Sequence, residues 1–280
     1  MNSRHSQKPS AVNTKTKPLN LFYQNGYITS SEKREILDYI YSLKPIWEMR
    51  YPEGTDDNRQ LLRPVYWLGN WQFACLDYYH PPKGIFNRAV AAEDFPACIQ
   101  KVVDRIESKV KSDFDSRDIP RGWELNTCLI NFYGNRVING KKEDFARVGE
   151  HKDFEPGPVG SVSFGEKALF QFVDSPNKGS KSTVILQQWL EDSSVQIFGG
   201  DKFKKRLFHR VQRVEDKGFT FKNAQTGDFE TRRINLTFRY VPREHFVNVN
   251  RLPEDLQKHI APYIQELAKN SKFWKSQGTS

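Results

Sequence analysis

Apolar positions first recur at helical intervals in NLFYQNGYITSSEKREILDYIYSL. Ile36, Ile40 and Leu43 form one stripe, and Thr29 and Glu32 stand just ahead of it at capping-box spacing. The pattern predicts a helix starting after Thr29. A second helical stripe runs through FPACIQKVVDRIESKVKSDF, with Ile99, Val102, Val103, Ile106 and Val110 on one side. Between them, RPVYWLGNWQFACLDYY is aromatic and β-prone, which predicts paired strands with a turn at Gly69-Asn70. Beyond Trp123 the period changes to two. LNTCLINFYG, GSVSFGEKALFQFVD, STVILQQWL, SVQIFGG, RLFHRVQRV and RRINLTFRYV each read as strands with turn residues between them. Many short strands of this kind predict a sandwich or barrel. Helical spacing returns at Leu256, Ile260, Ile264 and Leu267, with Pro262 placed to bend or interrupt the helix. The layout is mostly β with flanking helices, an α+β chain. It divides into a polar, basic tail over 1–18, a helical and lid region over 19–122, a β core over 123–247 in the same domain, and a helical tail over 248–280.

A chain of 280 residues can bury one large core. Its hydrophobic content of 37% and aromatic content of 13% exclude wholesale disorder. Lys and Arg outnumber Asp and Glu by 43 to 34, a net charge of +9. That excess favours an anionic partner, most economically nucleic acid, although basic proteins without such a partner share it. The three cysteines, Cys75, Cys98 and Cys128, are odd in number and form no CxxC pair. This excludes a disulfide scaffold or zinc ribbon and fits a reducing compartment. No apolar run approaches membrane-spanning length, and MNSRHSQKPSAVNTKTKP lacks the apolar core of a signal peptide. A cytoplasmic protein away from membranes is expected, with a monomer as the working oligomeric state.

Against this background VGEHKDFEPG stands out, because the chain holds only six histidines. In a strand, His151 and Asp153 would point to one face and converge. That gives two of the three ligands of a non-haem iron site. The plainer alternative is that His151 caps or pairs with a neighbour. His209 lies in the apparent strand RLFHRVQRV, on one face with Leu207 and Val211. A His-x-Asp…His set would leave metal positions open for a co-substrate and oxygen. The zinc-protease pattern HExxH and clustered Cys/His ligands are absent. RRINLTFRYV separates by parity: Ile234, Leu236, Phe238 and Tyr240 on one face, Arg233, Asn235, Thr237 and Arg239 on the other. The polar face is either solvent-exposed or a dicarboxylate site, since each arginine can fork onto one carboxylate. Their Cα atoms would be roughly 20 Å apart at about 3.3 Å per residue, a gap that inward-leaning side chains shorten. Asn131 and Tyr133 share a face and could add neutral hydrogen bonds.

Taken in order, Asn131-Phe132-Tyr133, His151-Lys152-Asp153, His209 and Arg233-Ile234-Asn235-Leu236-Thr237-Phe238-Arg239 resemble the signature of the AlkB-like iron(II)/2-oxoglutarate dioxygenases. PVGSVSFGEKALFQF is similar to the family's hairpin after the first ligand pair. The resemblance covers residues 120–241 well and the preceding part loosely. It implies a double-stranded β-helix, or jelly roll, with the metal at one open end. It further implies that His151, Asp153 and His209 ligate Fe(II). Arg239 with Asn131 would hold the 2-oxoglutarate carboxylate next to the metal, and Arg233 with Tyr133 and Asn235 the distal one. With O2, 2-oxoglutarate would give succinate and carbon dioxide, and a nearby C–H bond would be hydroxylated. On an N-methyl carbon the product would collapse to formaldehyde and the bare nitrogen.

The same resemblance implies an alkylated base in DNA or RNA as substrate, flipped out or single-stranded. Such a base needs a flat face, a polar group at its edge and a basic groove. Glu155 stands where an acidic residue would read the base edge, and His151 offers one flat face. Tyr66, Trp67 and Trp71 fall in the region resembling the nucleotide-recognition lid, where they either stack on a base or pack a hairpin. Lys202, Lys204, Lys205 and Arg206 precede the third ligand and either touch phosphates or form a solvated loop. GNRVINGKKEDFARVGE exceeds the family's usual connection and reads as an extra lid or a hairpin. Two other classes stay open. One is an oxygenase acting on a protein, a transfer-RNA wobble base or a small molecule. The other is a nucleic-acid-binding module with an inactive barrel, against which the intact ligand set argues.

Overall fold

The computed structural model describes residues 19–50, 59–72, 89–175 and 182–277. The expected tail over 1–18 and Cys75 lie outside the described residues. Helix α1 (Ser30–Ser42) opens on a complete capping box: Thr29 Oγ1 accepts from the Glu32 amide at 3.3 Å, and Glu32 Oε2 accepts from the Thr29 amide at 2.9 Å. Ile36 and Ile40 are its buried stripe. Thr29→Ala is expected to lower stability by about 1 kcal/mol, read as a shifted urea midpoint; an unmoved midpoint would mean that packing alone fixes this helix start. Helix α2 (Ala97–Asp113) buries all five apolar residues assigned to its stripe. Helix α3 (Glu254–Ala268) continues through Pro262. The missing N–H there costs one backbone bond, which burial of Ile260, Ile264 and Leu267 offsets. A short α4 (Lys272–Gln277) follows and buries Trp274.

Among the described residues, six strands precede α2: β1 (Leu21–Gln24), β2 (Met49–Arg50), β3 (Arg59–Gln60), β4 (Val65–Leu68), β5 (Asn70–Trp71) and β6 (Val90–Ala91). After it come β7 (Thr127–Ile138), β8 (Lys141–Asp144), β9 (Val148–His151), β10 (Val159–Gly165), β11 (Ala168–Val173) and β12 (Val184–Leu190). The last three are β13 (Ser194–Phe198), β14 (Phe208–Val214) and β15 (Glu230–Arg239). One sheet has the order β1-β13-β10-β15-β7-β4 with β8 added to β7; the other runs β12-β11-β14-β9. From β10 onward the chain winds between the two sheets, as a jelly roll requires.

Parity along the larger sheet separates two apolar regions. Ile130, Phe132, Val162, Phe164, Val195, Ile197, Ile234, Leu236 and Phe238 share one core with residues of α1, α2 and α3. Phe170, Phe172, Phe198, Phe203 and Val211 belong to a second core, which Tyr133 joins from the other face of β7. The polar face of β15 therefore points into the space between the sheets, and Arg233, Asn235 and Arg239 are buried there.

Two local expectations are revised and one open alternative is decided. β4 and β5 do not pair with each other: β4 pairs with β7, and β5 with β6. Gly69, at φ +77°, crosses so close to β7 that a Cβ would lie 2.1 Å from the Asn126 carbonyl oxygen, so the chain bends without folding back on itself. β10 and β11 do not form a hairpin either, because they lie in different sheets. The long connection before His151 is a hairpin: β7 pairs with β8 across Asn139 and Gly140, both at positive φ. Among the described residues no helix is long and apolar enough to cross a membrane.

Candidate metal centre

The β9–β14 ladder sets His151 directly opposite His209. Their ring centroids are 4.2 Å apart. His209 is buried among aromatics, with Phe170 stacked at 5.5 Å and Phe198 edge-on at 5.3 Å. His151 is half-buried, and its Nδ1 lies 2.8 Å from the Gly149 carbonyl oxygen. A carbonyl can only accept, so Nδ1 carries the hydrogen and Nε2 keeps its lone pair for a ligand.

Asp153 arrives by a different route from the expected one. β9 ends at His151, so Asp153 is not its strand neighbour on one face. Arg239 aims it instead: Nε and Nη2 donate to Asp153 Oδ1 at 2.9 and 2.8 Å. The other oxygen, Oδ2, is buried without a hydrogen-bond partner among the described residues and lies 3.4 Å from His209 Nε2. The donor atoms of His151, Asp153 and His209 all lie within 4.8 Å of one another.

The electrostatics suit a divalent ion. Burial raises the Asp153 carboxyl, but Arg239, Lys204 and the two imidazoles outweigh it and hold the pKa well below the ordinary carboxylate range. Burial, reinforced by His151, pushes His209 well below an ordinary histidine, and burial also lowers His151. The set thus offers two neutral imidazoles and one carboxylate oxygen with no other partner, which is the donor chemistry Fe(II) takes in a facial triad.

Arg233 is 1% exposed, so its strand face is no solvated surface. Its Nη2 donates to Ser163 Oγ at 3.0 Å, and its guanidinium lies 4.9 Å from the Tyr133 ring centre. Nε and Nη1 are buried with no hydrogen-bond partner among the described residues. A buried guanidinium with two unused donors is matched by a carboxylate. Asn235 serves the sheet: Nδ2 donates to the Val162 carbonyl at 2.8 Å and to Ser161 Oγ at 2.9 Å, and Oδ1 accepts from Thr237 at 3.0 Å. Arg239, expected to hold the co-substrate's near carboxylate, commits Nε and Nη2 to Asp153 in this structure, because that carboxylate lies within reach of its fork.

Arg63 was not singled out in the sequence, where no motif marks it. Its Nε donates to Asn131 Oδ1 at 2.8 Å, and its guanidinium also lies 4.9 Å from the Tyr133 ring centre. Two arginines therefore flank one tyrosine, and Arg63 acts electrostatically on His151.

The residues considered for substrate separate clearly. Glu155 is buried, accepts from Gln72 Nε2 at 3.2 Å and lies 3.6 Å from Arg239 Nε. Tyr66, Trp67 and Trp71 are core residues, not a stacking platform. Both indoles donate to Glu48 Oε1 at 2.7 Å, and Trp71 packs edge-on against Trp274 at 5.2 Å. The basic run coils into one wide helical turn, Asp201–Arg206. Lys202, Lys205 and Arg206 are exposed, whereas Lys204 turns inward beside the metal ligands and cannot serve as a surface phosphate contact.

The chain matches the family model described as 2OG-Fe(II) oxygenase superfamily over residues 20–239. Among 90 solved chains that match, one described as "The structure of OsALKBH1" is 22% identical, with a TM-score of 0.51 over 80% of this chain and 99% of that one. At that identity the likeness speaks for the fold. No curated protein sequence matches the chain. The jelly roll, its donor set and a family match running from β1 to the end of β15 agree: the chain belongs to the 2OG-Fe(II) oxygenase superfamily, oxidoreductases that work with Fe(II), 2-oxoglutarate and O2.

Proposed function

We propose that this oxygenase removes alkyl groups from bases in DNA or RNA, releasing succinate, carbon dioxide and formaldehyde. The observation that carries the reading is the buried polar pair Gln72–Glu155, set beside the ligand carboxylate through Arg239. A base edge needs hydrogen-bonding groups of this kind, and the half-buried His151 ring supplies a flat surface next to them. The net charge of +9 favours a polyanionic substrate, and exposed Lys202 and Lys205 stand on the turn leading to His209.

His151, Asp153 and His209 would hold Fe(II). Arg233, with Tyr133 and Arg63 packed around it, would bind the distal carboxylate of 2-oxoglutarate, and Asn235 keeps β15 and β10 in register behind it. Iron(II) with 2-oxoglutarate and O2 supplies the oxidising power that places a hydroxyl on the alkyl carbon. The phenylalanines around His209 keep water from that side of the centre. Glu155 fixes the base so that its N-alkyl carbon faces the ligand set. Once hydroxylated, the C–N bond breaks with its electron pair going to nitrogen, and the carbon leaves as formaldehyde.

The test is mass spectrometry of single-stranded DNA and RNA carrying 1-methyladenine or 3-methylcytosine, incubated with Fe(II), 2-oxoglutarate and air. Succinate is followed in parallel, with His151→Ala as control. Loss of the methyl mass by the wild type alone is expected. Unchanged oligonucleotides alongside His151-dependent succinate would move the substrate to a protein, another base or a small molecule.

A further inference from the structure

Strand β9 departs from strict alternation just before the ligand. Its ladder to β14 pairs His151 with His209 and Val148 with Val211. On β14 the two partners are two residues apart and share a face, as in any regular strand. On β9 they are three apart. Gly149 and Glu150 therefore stand together opposite Arg210, two residues against one, which makes a β-bulge. Val148 packs against the same core as Val211. The extra residue is what lets Val148 and His151 both face inward; without it, one of them would turn to the outer face of the sheet.

The bulge also carries the carbonyl that fixes the His151 ring, since Nδ1 lies 2.8 Å from the Gly149 oxygen. Gly149 cannot hold that geometry by itself. Glycine has the greatest backbone freedom of any residue, and a Cβ at this position would meet no heavy atom within 4 Å among the described residues. The hold comes from the neighbouring strands. Arg210 Nη1 donates to Glu150 Oε1 at 2.6 Å and to Ser182 Oγ at 3.1 Å. Its Nε donates to Gln171 Oε1 at 2.9 Å, and Gln171 Nε2 donates to Gln187 Oε1 at 2.9 Å. One polar row thus runs from β12 through β11 and β14 to the bulge of β9. The Arg210 and Glu150 side chains are only 12% and 19% exposed, so solvent screens their pair less than an open surface pair.

We propose that Arg210 and Glu150 are positioning residues for the metal centre. Their ion pair locks the β9 bulge, which turns His151 toward His209 and aims the Gly149 carbonyl at its Nδ1. Arg210 follows His209 directly on β14 and so lies on the opposite face from the ligands. It acts through the backbone of β9 and not by touching the ion. The inference rests on the metal centre alone and holds whatever the substrate is.

The experiment titrates Mn(II) into the full chain and into Arg210→Met, Glu150→Ala and the double variant, with a urea midpoint to verify each fold. Altering groups that orient a metal ligand weakens binding by about 10–100-fold, and each single variant should lose roughly tenfold. The double variant should lose no more than either single one, because one clamp is broken once. The sign at Arg210 is decisive. If its charge alone mattered, removing a cation near the centre would strengthen binding of a divalent ion. Tighter or unchanged Mn(II) binding by Arg210→Met therefore overturns the proposal, and so do losses that add in the double variant. A second readout needs no metal. Long-range proton–nitrogen NMR of the imidazoles should show His151 protonated on Nδ1 in the wild type and a mixture of tautomers in Glu150→Ala. A single unchanged tautomer in Glu150→Ala overturns the proposal and leaves main-chain pairing as what holds the bulge. Glu150→Ala decides the matter alone where Arg210→Met does not fold.

Discussion

His151→Ala is expected to eliminate Fe(II)-dependent succinate formation while leaving the fold in place. The imidazole is half-buried at the end of β9, whose pairing with β14 uses main-chain bonds that alanine keeps. The loss falls on metal affinity. Groups that merely orient a ligand already change it by about 10–100-fold when altered, so removing a ligand should weaken binding by roughly a hundredfold or more. Titration with Mn(II) measures this directly. Thermal melts give a second check, because an ion bound only by the folded state raises the melting temperature. That rise should be present in the wild type and missing from the variant. Wild-type metal affinity in His151→Ala would remove His151 from the ligand set.

The second large effect separates the two arginines of β15. Arg233→Met should leave metal binding intact and raise KM for 2-oxoglutarate. Removing one partner of a buried charge pair costs about 2 kcal/mol or more, so the rise should be roughly thirtyfold at least. Arg239→Met should do the reverse. It frees Asp153 from the fork that aims it, so metal affinity falls first. Measuring both constants on both variants decides the matter. Raised KM in Arg239→Met with unchanged metal affinity, and no effect of Arg233→Met, would exchange the two roles.

Features legible in the sequence were those determined locally. Thr29 and Glu32 mark the start of α1 because both halves of the cap lie within one turn. Ile99 to Val110 marks a buried helix face because helical period alone places those residues together. The parity of Arg233 to Arg239 sorted the two faces of β15, although only tertiary packing showed that both are buried. The candidate donor set could be picked out because few residue types bind iron, and the structure brings the donor atoms of His151, Asp153 and His209 within 4.8 Å of one another. What stayed hidden depends on distant partners. Whether Trp67 and Trp71 stack on a base or pack the core stayed open until Glu48, from an earlier segment, met both indoles. That Arg239 aims Asp153 was hidden because the loop carrying Asp153 could not be placed against it in advance. Lys204 looked like any member of a basic run, and only the phase of one wide helical turn separates it from Lys205.

The pairing of His151 with His209 also matters for local opening. Among the described residues β9 is the outermost strand of its sheet, and its ladder to β14 consists of two registered pairs with an irregularity between them. Short edge ladders of this kind are among the first parts of a fold to open. One of the two pairs is the candidate ligand pair, His151 and His209, so an ion held by both imidazoles would cross-link β9 to β14. Amide hydrogen exchange across Val148–His151 should therefore track occupancy of the centre, slowing on loading while the amides of β7 and β15 keep their rates. An ion bound there would fasten an edge as well as serve the chemistry.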